Sequence, residues 1–474
     1  MRLQEAMKDC RLPRSLFPER AVLYECAIAV NFGITFQLPL TIRDRTRDLA
    51  MYLFFVRHFN DIDHIAPIVW KMQQCNYPVA VYCINPQYDI HSDYRLTFLR
   101  RQGVTVDFVH TASDRELPAL HRAARSAFQR LFAQSKRVGP VDPQNPSLPS
   151  RFAQLFTEMI AHTLYQLTRL TFYNKKWAHS LLERTGARAL CFDHVIPKRN
   201  VVGVLLRAAN DRSIPTLALP HGVYLYTNEF YKTGATAKTR FDKFNRYDYV
   251  LVQTQLRKDV LVRSGLRREK VVVLGSARFC DEWIAQNRKI LPRIMKSSES
   301  DTTRLKVAFM TSKPQCRIDV DRMLDTTDIL STLSGIDVMI KPHTRIGALA
   351  QYFYRLPAGN ASNVLTPELC EWADVVLVIG SSVITEALMQ RKPVLYLKYL
   401  HANTMLFEES GACWTIHNEA ELKNALRTLQ LRKADIPYSD KNVNKFLLEV
   451  VYGDRNERDV LKNYVEFIVN CTAR

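Results

Sequence analysis

The sequence predicts an α/β protein built from two doubly wound domains that face each other across a cleft. Three observations carry this expectation: a length of 474 residues, short continuous apolar runs recurring along the chain, and amphipathic segments between them. A chain of that length exceeds what one core ordinarily fills and suits two domains of roughly 200 residues each. Apolar runs without alternation mark strands covered on both faces, as in parallel sheets flanked by helices.

The elements follow in order. MYLFFV, from Met51, is the first strand, followed by the loop RHFNDIDH and the helix-compatible IAPIVWKMQQC; VAVYCI and GVTVDFVH are the next two strands. SKRVGPVDPQNPSLPS, Ser135 to Ser150, contains four prolines and is expected to be a loop or insertion. A long amphipathic stretch runs to about Arg184, after which ALCFD, TLALP, YVLVQ and VVVLG complete the first domain. KSSESDTTR, Lys296 to Arg304, has the composition of a linker. A second series, KVAFM, DVMIK, DVVLVI and PVLYL, then begins, and the tail FLLEVVYGDRNERDVLKNYVEFIVN forms two helices. The expected division is an N-terminal extension over 1–48, a first α/β domain over 49–295, a second α/β domain over 296–440, and terminal helices over 441–474 that could cross back to the first domain.

With 47% hydrophobic and 24% charged residues the composition is globular. A formal charge of +19 calls for anionic partners. Lys and Arg are spread along the chain, and zinc-finger spacing, an aromatic RNA-binding signature and basic-region heptads are all absent, so no nucleic-acid partner is expected. An anionic membrane surface fits better. Ten scattered cysteines without a CxxC pair suit reduced thiols. The N-terminus lacks a secretory apolar core, and AVLYECAIAVNFGITFQLPL is interrupted by Glu25, Asn31, Gln37 and Pro39. The expected location is cytoplasmic, peripheral at the inner face of the cell membrane.

Doubly wound sheets bind ligands outside the carboxyl ends of their strands, and four polar clusters fall there. In DVVLVIGSS the strand ends at Gly380, and Ser381 and Ser382 are expected at the N-cap and first turn of the helix VITEALMQR, where unpaired N–H groups suit a phosphate. Glu386 lies one turn on, placed to accept hydrogen bonds from a ribose. Serine is also an ordinary helix cap, and both readings stand on this stretch alone. DVMIKPHTR brings Lys341, His343 and Arg345 to another strand end, either to neutralise a phosphate or as a solvated loop.

TLALPHGVYLYTNE presents His221, with Gly222 behind it, as a candidate catalytic base or a turn residue. Asp193 in CFDHV is the alternative base, or the group that orients His221. VVVLGSARFCDEW offers Gly275, Ser276, Arg278 and Asp281; Arg278 suits a phosphate contact or an interdomain salt bridge. Asp61 and Asp63 in NDIDH have DxD spacing, yet their loop position favours capping or substrate contact, and no metal is expected. No P-loop, GxSxG or HExxH occurs.

The order of HG after a strand, GSAR, KPHTR, and SSVITEAL with KPVLYL resembles the GT-B glycosyltransferase-like proteins of bacterial surface and capsular polysaccharide synthesis. Transferases of CMP-activated sugars and CDP-glycerol glycerophosphotransferases are the nearest resemblances, over roughly residues 50 to 400. The resemblance implies two Rossmann-like domains, a phosphate held by His343 with Ser381 and Ser382, and a catalytic role for His221. Thr344 and Ala277 stand where those families carry proline. It further implies a metal-independent glycosyltransferase with no cofactor, moving a sugar of the Kdo or sialic acid type from a CMP- or CDP-linked donor to a polysaccharide or glycolipid acceptor. A CDP-glycerol-type glycerophosphotransferase, an NDP-sugar 2-epimerase-like enzyme and a non-catalytic basic binding protein are the alternatives.

Overall fold

The computed structural model describes residues 50–85, 88–109, 173–194, 197, 201–228, 241–295, 304–312, 318–343, 359–431 and 436–473. The expected N-terminal extension, the proline-rich insertion, most of the expected linker and Arg345 lie outside them.

Two parallel sheets form, one per half of the chain. The first contains β1 (Tyr52–Val56), β2 (Val79–Cys83), β3 (Thr105–Phe108), β4 (Ala189–Asp193), β5 (Thr216–Leu219), β6 (Tyr249–Val252) and β7 (Val271–Val273), in the order β3-β2-β1-β4-β5-β6-β7. The second contains β8 (Leu305–Met310), β9 (Ile336–Lys341), β10 (Gly359–Asn360), β11 (Val375–Val378), β12 (Val394–Leu397) and β13 (Trp414–Ile416), in the order β10-β9-β8-β11-β12-β13. Both are doubly wound, and the pair is the GT-B-like architecture of two Rossmann-like domains. Strand order reverses between β1 and β4 in the first sheet and between β8 and β11 in the second, and a crevice opens at such a reversal.

The register explains the unbroken apolar runs. Phe54 lies opposite Val81 on one side and Cys191 on the other, and all of β1, β2 and β4 is buried. A strand with neighbours on both edges and helices on both faces has no wet position. Two strands escape the sequence pattern: β10 is two residues long and β13 three. Edge strands this short give no periodic signal. Cys83, Cys191, Cys280, Cys370 and Cys413 are buried free thiols. No helix among the described residues is long and apolar enough to cross a membrane.

One core cluster joins Ile62 and Val69 of the first domain to Met310 and Val376 of the second and to Val450, Tyr464 and Ile468 of the terminal helices. The helix Val460–Asn470 packs on the helix Phe59–Gln74. The return is secured by the Tyr464 hydroxyl, which donates to the Gly275 carbonyl at 2.9 Å, and by the Ser276 N–H, which donates to the Val451 carbonyl at 2.7 Å. Backbone crosses backbone here, so Gly275, at φ 82°, has no room for a side chain: a Cβ would overlap the Val451 carbonyl. Gly222, at φ 73°, has open space where its Cβ would lie.

Both glycines carry the left-handed backbone cost of about 1–2 kcal/mol on conversion to alanine, and Gly275 adds an overpacking cost of about 1–3 kcal/mol. Urea unfolding of the two single variants should therefore rank Gly275→Ala clearly below Gly222→Ala. Equal midpoints would show that the crossing is not tight.

Candidate functional site at the strand reversal

The first crevice collects charge because two acids are carried into it by buried strands. Asp193 is the last residue of β4 and Asp61 sits in the first turn of the helix that follows β1. Each is 0% exposed. A buried carboxylate costs several kcal/mol unless paired, and here two cations do the pairing. Arg57 donates to Asp61 through its backbone N–H at 2.8 Å and its Nε at 3.0 Å, and its Nη2 reaches Asp193. His221, just beyond β5, places Nδ1 3.0 Å from Asp193 Oδ2 and 3.6 Å from Asp61 Oδ1. His58 Nδ1 lies 3.0 Å from Asp61 Oδ1.

Charge states follow from these contacts. Burial opposes the imidazolium of His221, yet the hydrogen bonds and charges of Asp193 and Asp61 overcome it and push the ring up to about 9. Burial likewise opposes ionised Asp61, but the His221 hydrogen bond and the charges of Arg57 and His58 bring it down to about 2. Asp193 is raised by burial and by the charge of Asp61. At neutral pH His221 is therefore an imidazolium with Nδ1 committed to carboxylates, leaving Nε2–H for a ligand.

This corrects the expected neutral base. The structure places Asp193 against His221, with Oδ2 3.0 Å from Nδ1. As the alternative base it is badly placed, being fully buried and held between Arg57 and His221.

The backbone behind His221 is equally fixed. The Gly222 N–H donates to His64 Nε2 at 2.9 Å, and Gln253 Nε2 donates to the Gly222 carbonyl at 3.0 Å. Burial and the nearby charges of Arg278 and His221 hold His64 well below its ordinary value, consistent with a neutral ring accepting at Nε2.

Asp61 and Asp63 do not act together. Residues two apart on a helix point to different sides, and Asp63 turns away to Arg95 and to Arg278, whose Nη1 is 2.9 Å distant. Arg278 thus forms an ion pair within the first domain, not between domains. The nearest approach to a metal-ligand set among the described residues is Asp61, Asp193 and His221, whose candidate ligand atoms lie within 4.8 Å of one another. Arg57 and the His221 imidazolium already compensate both carboxylates, and a dication would have to displace the guanidinium and the Nδ1 proton.

The second crevice is lined from β8 and β11. Thr311 and Ser312 follow β8 and are buried, and Thr311 Oγ1 accepts from the His343 N–H at 2.9 Å. Gly380, at φ 53°, turns the chain after β11; Ser381 Oγ accepts from the Val383 N–H at 3.3 Å and Ser382 is the N-cap residue. The helix starts at Val383, one residue later than the sequence suggested, so both serines precede it. Lys341 is drawn away, its Nζ donating to the Val364 and Ala361 carbonyls. Glu386 is 5% exposed and accepts from Gln390 Nε2 at 2.9 Å, which sets it inside the fold and not on the crevice surface.

The two crevices meet. The segment after His221 crosses to the second domain, where the Tyr226 hydroxyl donates to the Gly380 carbonyl at 3.3 Å, the Leu406 N–H donates to the Leu225 carbonyl at 2.8 Å, and Thr227 Oγ1 lies 2.7 Å from Thr404 Oγ1. His221 and the Gly380–Ser382 turn therefore border one cleft. Arg57 and His58 were not among the sequence candidates; the signal was an adjacent Arg–His pair at the end of an apolar strand.

No family model matches the chain, and no curated protein does. Solved structures similar to it include the S. aureus MnaA–UDP co-structure, with 12% identity, 90% of this chain and 98% of that chain covered and a TM-score of 0.45. The UDP-GlcNAc 2-epimerase from Neisseria meningitidis bound to UDP-GlcNAc has 13% identity, 90% and 99% coverage and a TM-score of 0.47. The glycotransferase of kitacinnamycin gives the same four figures, 13%, 90%, 99% and 0.47. Likeness at this level carries no argument about activity.

Because the folded His221 value of about 9 lies above the ordinary 6.5, its pairing stabilises the fold fully below about pH 6.5 and is lost as pH rises through about 9. The gap in urea midpoint between the parent and His221→Gln should shrink over that window. A gap independent of pH would show that the ring is not held protonated.

Proposed function

We propose that this chain is an enzyme acting on nucleotide-linked sugars, which holds the donor phosphate at the Gly380–Ser382 turn and breaks the sugar–phosphate bond in front of His221. The observation that carries the reading is the convergence just described: a carboxylate-clamped imidazolium on one domain, tied through Tyr226 to a glycine–serine turn on the other. As the bond breaks, its electron pair leaves with the phosphate oxygen, and fixed donors stabilise that charge best in a closed cleft. In this reading Ser382 and His343 supply donors from the second domain, and the Nε2–H of His221 supplies one from the first. Lys341 and Glu386 support the walls of the second crevice.

The leading reading is glycosyl transfer, with the freed anomeric carbon taken by the oxygen of a glycan or glycolipid hydroxyl and the proton of that hydroxyl passing to the departing phosphate oxygen. The +19 charge makes an acceptor at an anionic membrane part of the same proposal, and vesicle co-sedimentation that weakens with salt tests it. Sugar epimerisation begins with the same bond cleavage and is the second reading, favoured by the protonated state of His221, which serves bond breaking better than deprotonation of an acceptor.

Turnover and calorimetric binding, screened over UDP-GlcNAc, CMP-linked Kdo or sialic acid and CDP-glycerol, test the proposal. Ser382→Ala should weaken nucleotide affinity by about 10- to 150-fold, from loss of a charge-assisted hydrogen bond of about 1.5–3 kcal/mol. His221→Gln should lower turnover by about 10²–10⁴ and leave nucleotide affinity within a few-fold. Activity should fall as pH rises through about 9 and survive EDTA. In D2O, solvent deuterium at sugar C2 identifies epimerisation, and acceptor-dependent nucleotide release identifies transfer. Parent-like nucleotide binding by Ser382→Ala, or turnover that rises through pH 9, contradicts the assignment.

A further inference from the structure

Phe59 has no place in the chemistry above, yet it stands beside it. It is 42% exposed, against 52% for Ile294 and 86% for Leu431, the other large hydrophobic residues exposed among those described. Single exposed apolar side chains are ordinary. Phe59 alone of the three follows a strand's carboxyl end, three residues past β1, next to His58, whose ring lies 5.9 Å from that of His221.

What lies beneath the ring is unusual. The guanidinium carbon of Arg95 sits 4.2 Å from the Phe59 ring centroid, and Arg95 is 1% exposed. Its position is fixed from three directions. Nη1 pairs with Asp63, Nη2 donates to Asp93 Oδ2 at 2.6 Å, and Nε donates to Asp93 Oδ1 at 3.2 Å. Asp93 is itself held by the Tyr88 hydroxyl at 2.8 Å and caps the helix Tyr94–Arg101. A buried arginine saturated by two acids thus supports one face of an exposed phenyl ring.

From this geometry we propose that Phe59, backed by Arg95, is a stacking platform for a sugar ring of the substrate. Two features select a sugar. The free surface is flat and apolar, matching the C–H face of a pyranose. Arg57 and His58 precede Phe59 in the chain, and the His58 ring lies 5.9 Å from that of His221, so the same strand end carries polar groups of the kind that ring-edge hydroxyls require. The inference rests on the reading of this cleft as a nucleotide-sugar site and adds the subsite that distinguishes a ring-bearing ligand from an open-chain one such as CDP-glycerol. The ring belongs either to the donor or to the acceptor; the chemistry of recognition is the same.

The test uses the full chain and three variants: Phe59→Ala, Phe59→Leu and Phe59→Tyr. Calorimetry compares UDP with UDP-GlcNAc and CMP with CMP-sialic acid, with CDP-glycerol as the ring-free control, and a glycan array reads the acceptor arm. Phe59→Ala should lose about tenfold in affinity for a ring-bearing ligand, Phe59→Leu should lose nearly as much, and Phe59→Tyr should restore it, while UDP, CMP and CDP-glycerol bind as to the parent. A loss confined to the nucleotide sugars assigns the donor ring; a loss confined to array glycans assigns the acceptor ring. Parent-like binding of every ring ligand by Phe59→Ala overturns the platform even where nucleotides bind normally, and so does equal weakening of UDP and CMP, which would make Phe59 a base-stacking residue. Glycan retention that depends on Phe59 without nucleotide binding leaves the platform standing and removes the nucleotide reading instead.

Discussion

Two carboxylates, Asp61 and Asp193, are buried where the strand order of the first sheet reverses, and the site is the consequence of compensating them. Neither is tolerable alone in such a place, since an unpaired buried charge costs several kcal/mol. Arg57 spans both, and His221 completes the set from the neighbouring strand. Compensation fixes the orientation of the imidazole, its protonation and which nitrogen is left for a ligand. Those three properties need no ligand to establish them, which is what a preorganised site requires.

The same constraint propagates outward. A clamped His221 is useful only if its backbone is equally fixed, and His64 and Gln253 hold the Gly222 peptide from opposite sides. Beyond it the chain crosses to the second domain through Tyr226 and Thr227. A second crossing runs the other way, where the terminal helices return to the first domain and Gly275 admits the Val451 carbonyl. The cleft is thus tied on two sides, and both ties pass through glycines of positive φ, of which Gly275 alone has no room for a side chain.

The fold was legible because buried parallel strands leave an unmistakable trace: each apolar run from MYLFFV to PVLYL forms its strand, and among the strands of the described residues only the short edge strands β10 and β13 were invisible. The site was legible in part. His221 and Asp193 are visible as polar residues closing apolar strands, and the structure brings them together. The pairing of Arg57 with Asp193 was not visible, because the two are 136 residues apart and become neighbours only when β4 pairs with β1. Local spacing did not give the direction of Lys341 and Glu386: Lys341 ends β9 and Glu386 lies in the helix after β11, but backbone carbonyls capture the first and Gln390 bonds the second. Spacing gives the element a residue sits on, whereas the direction of a long side chain depends on acceptors that only the tertiary structure supplies.

Two acids hold His221 as an imidazolium above neutral pH. Titration of the His221 Cε1–H resonance by NMR, assigned by its loss in His221→Gln, tests this most directly. The expected midpoint is near 9 and falls toward the ordinary 6.5 when Asp193 is replaced by Asn. A parent midpoint already near 6.5, unchanged in Asp193→Asn, would contradict it.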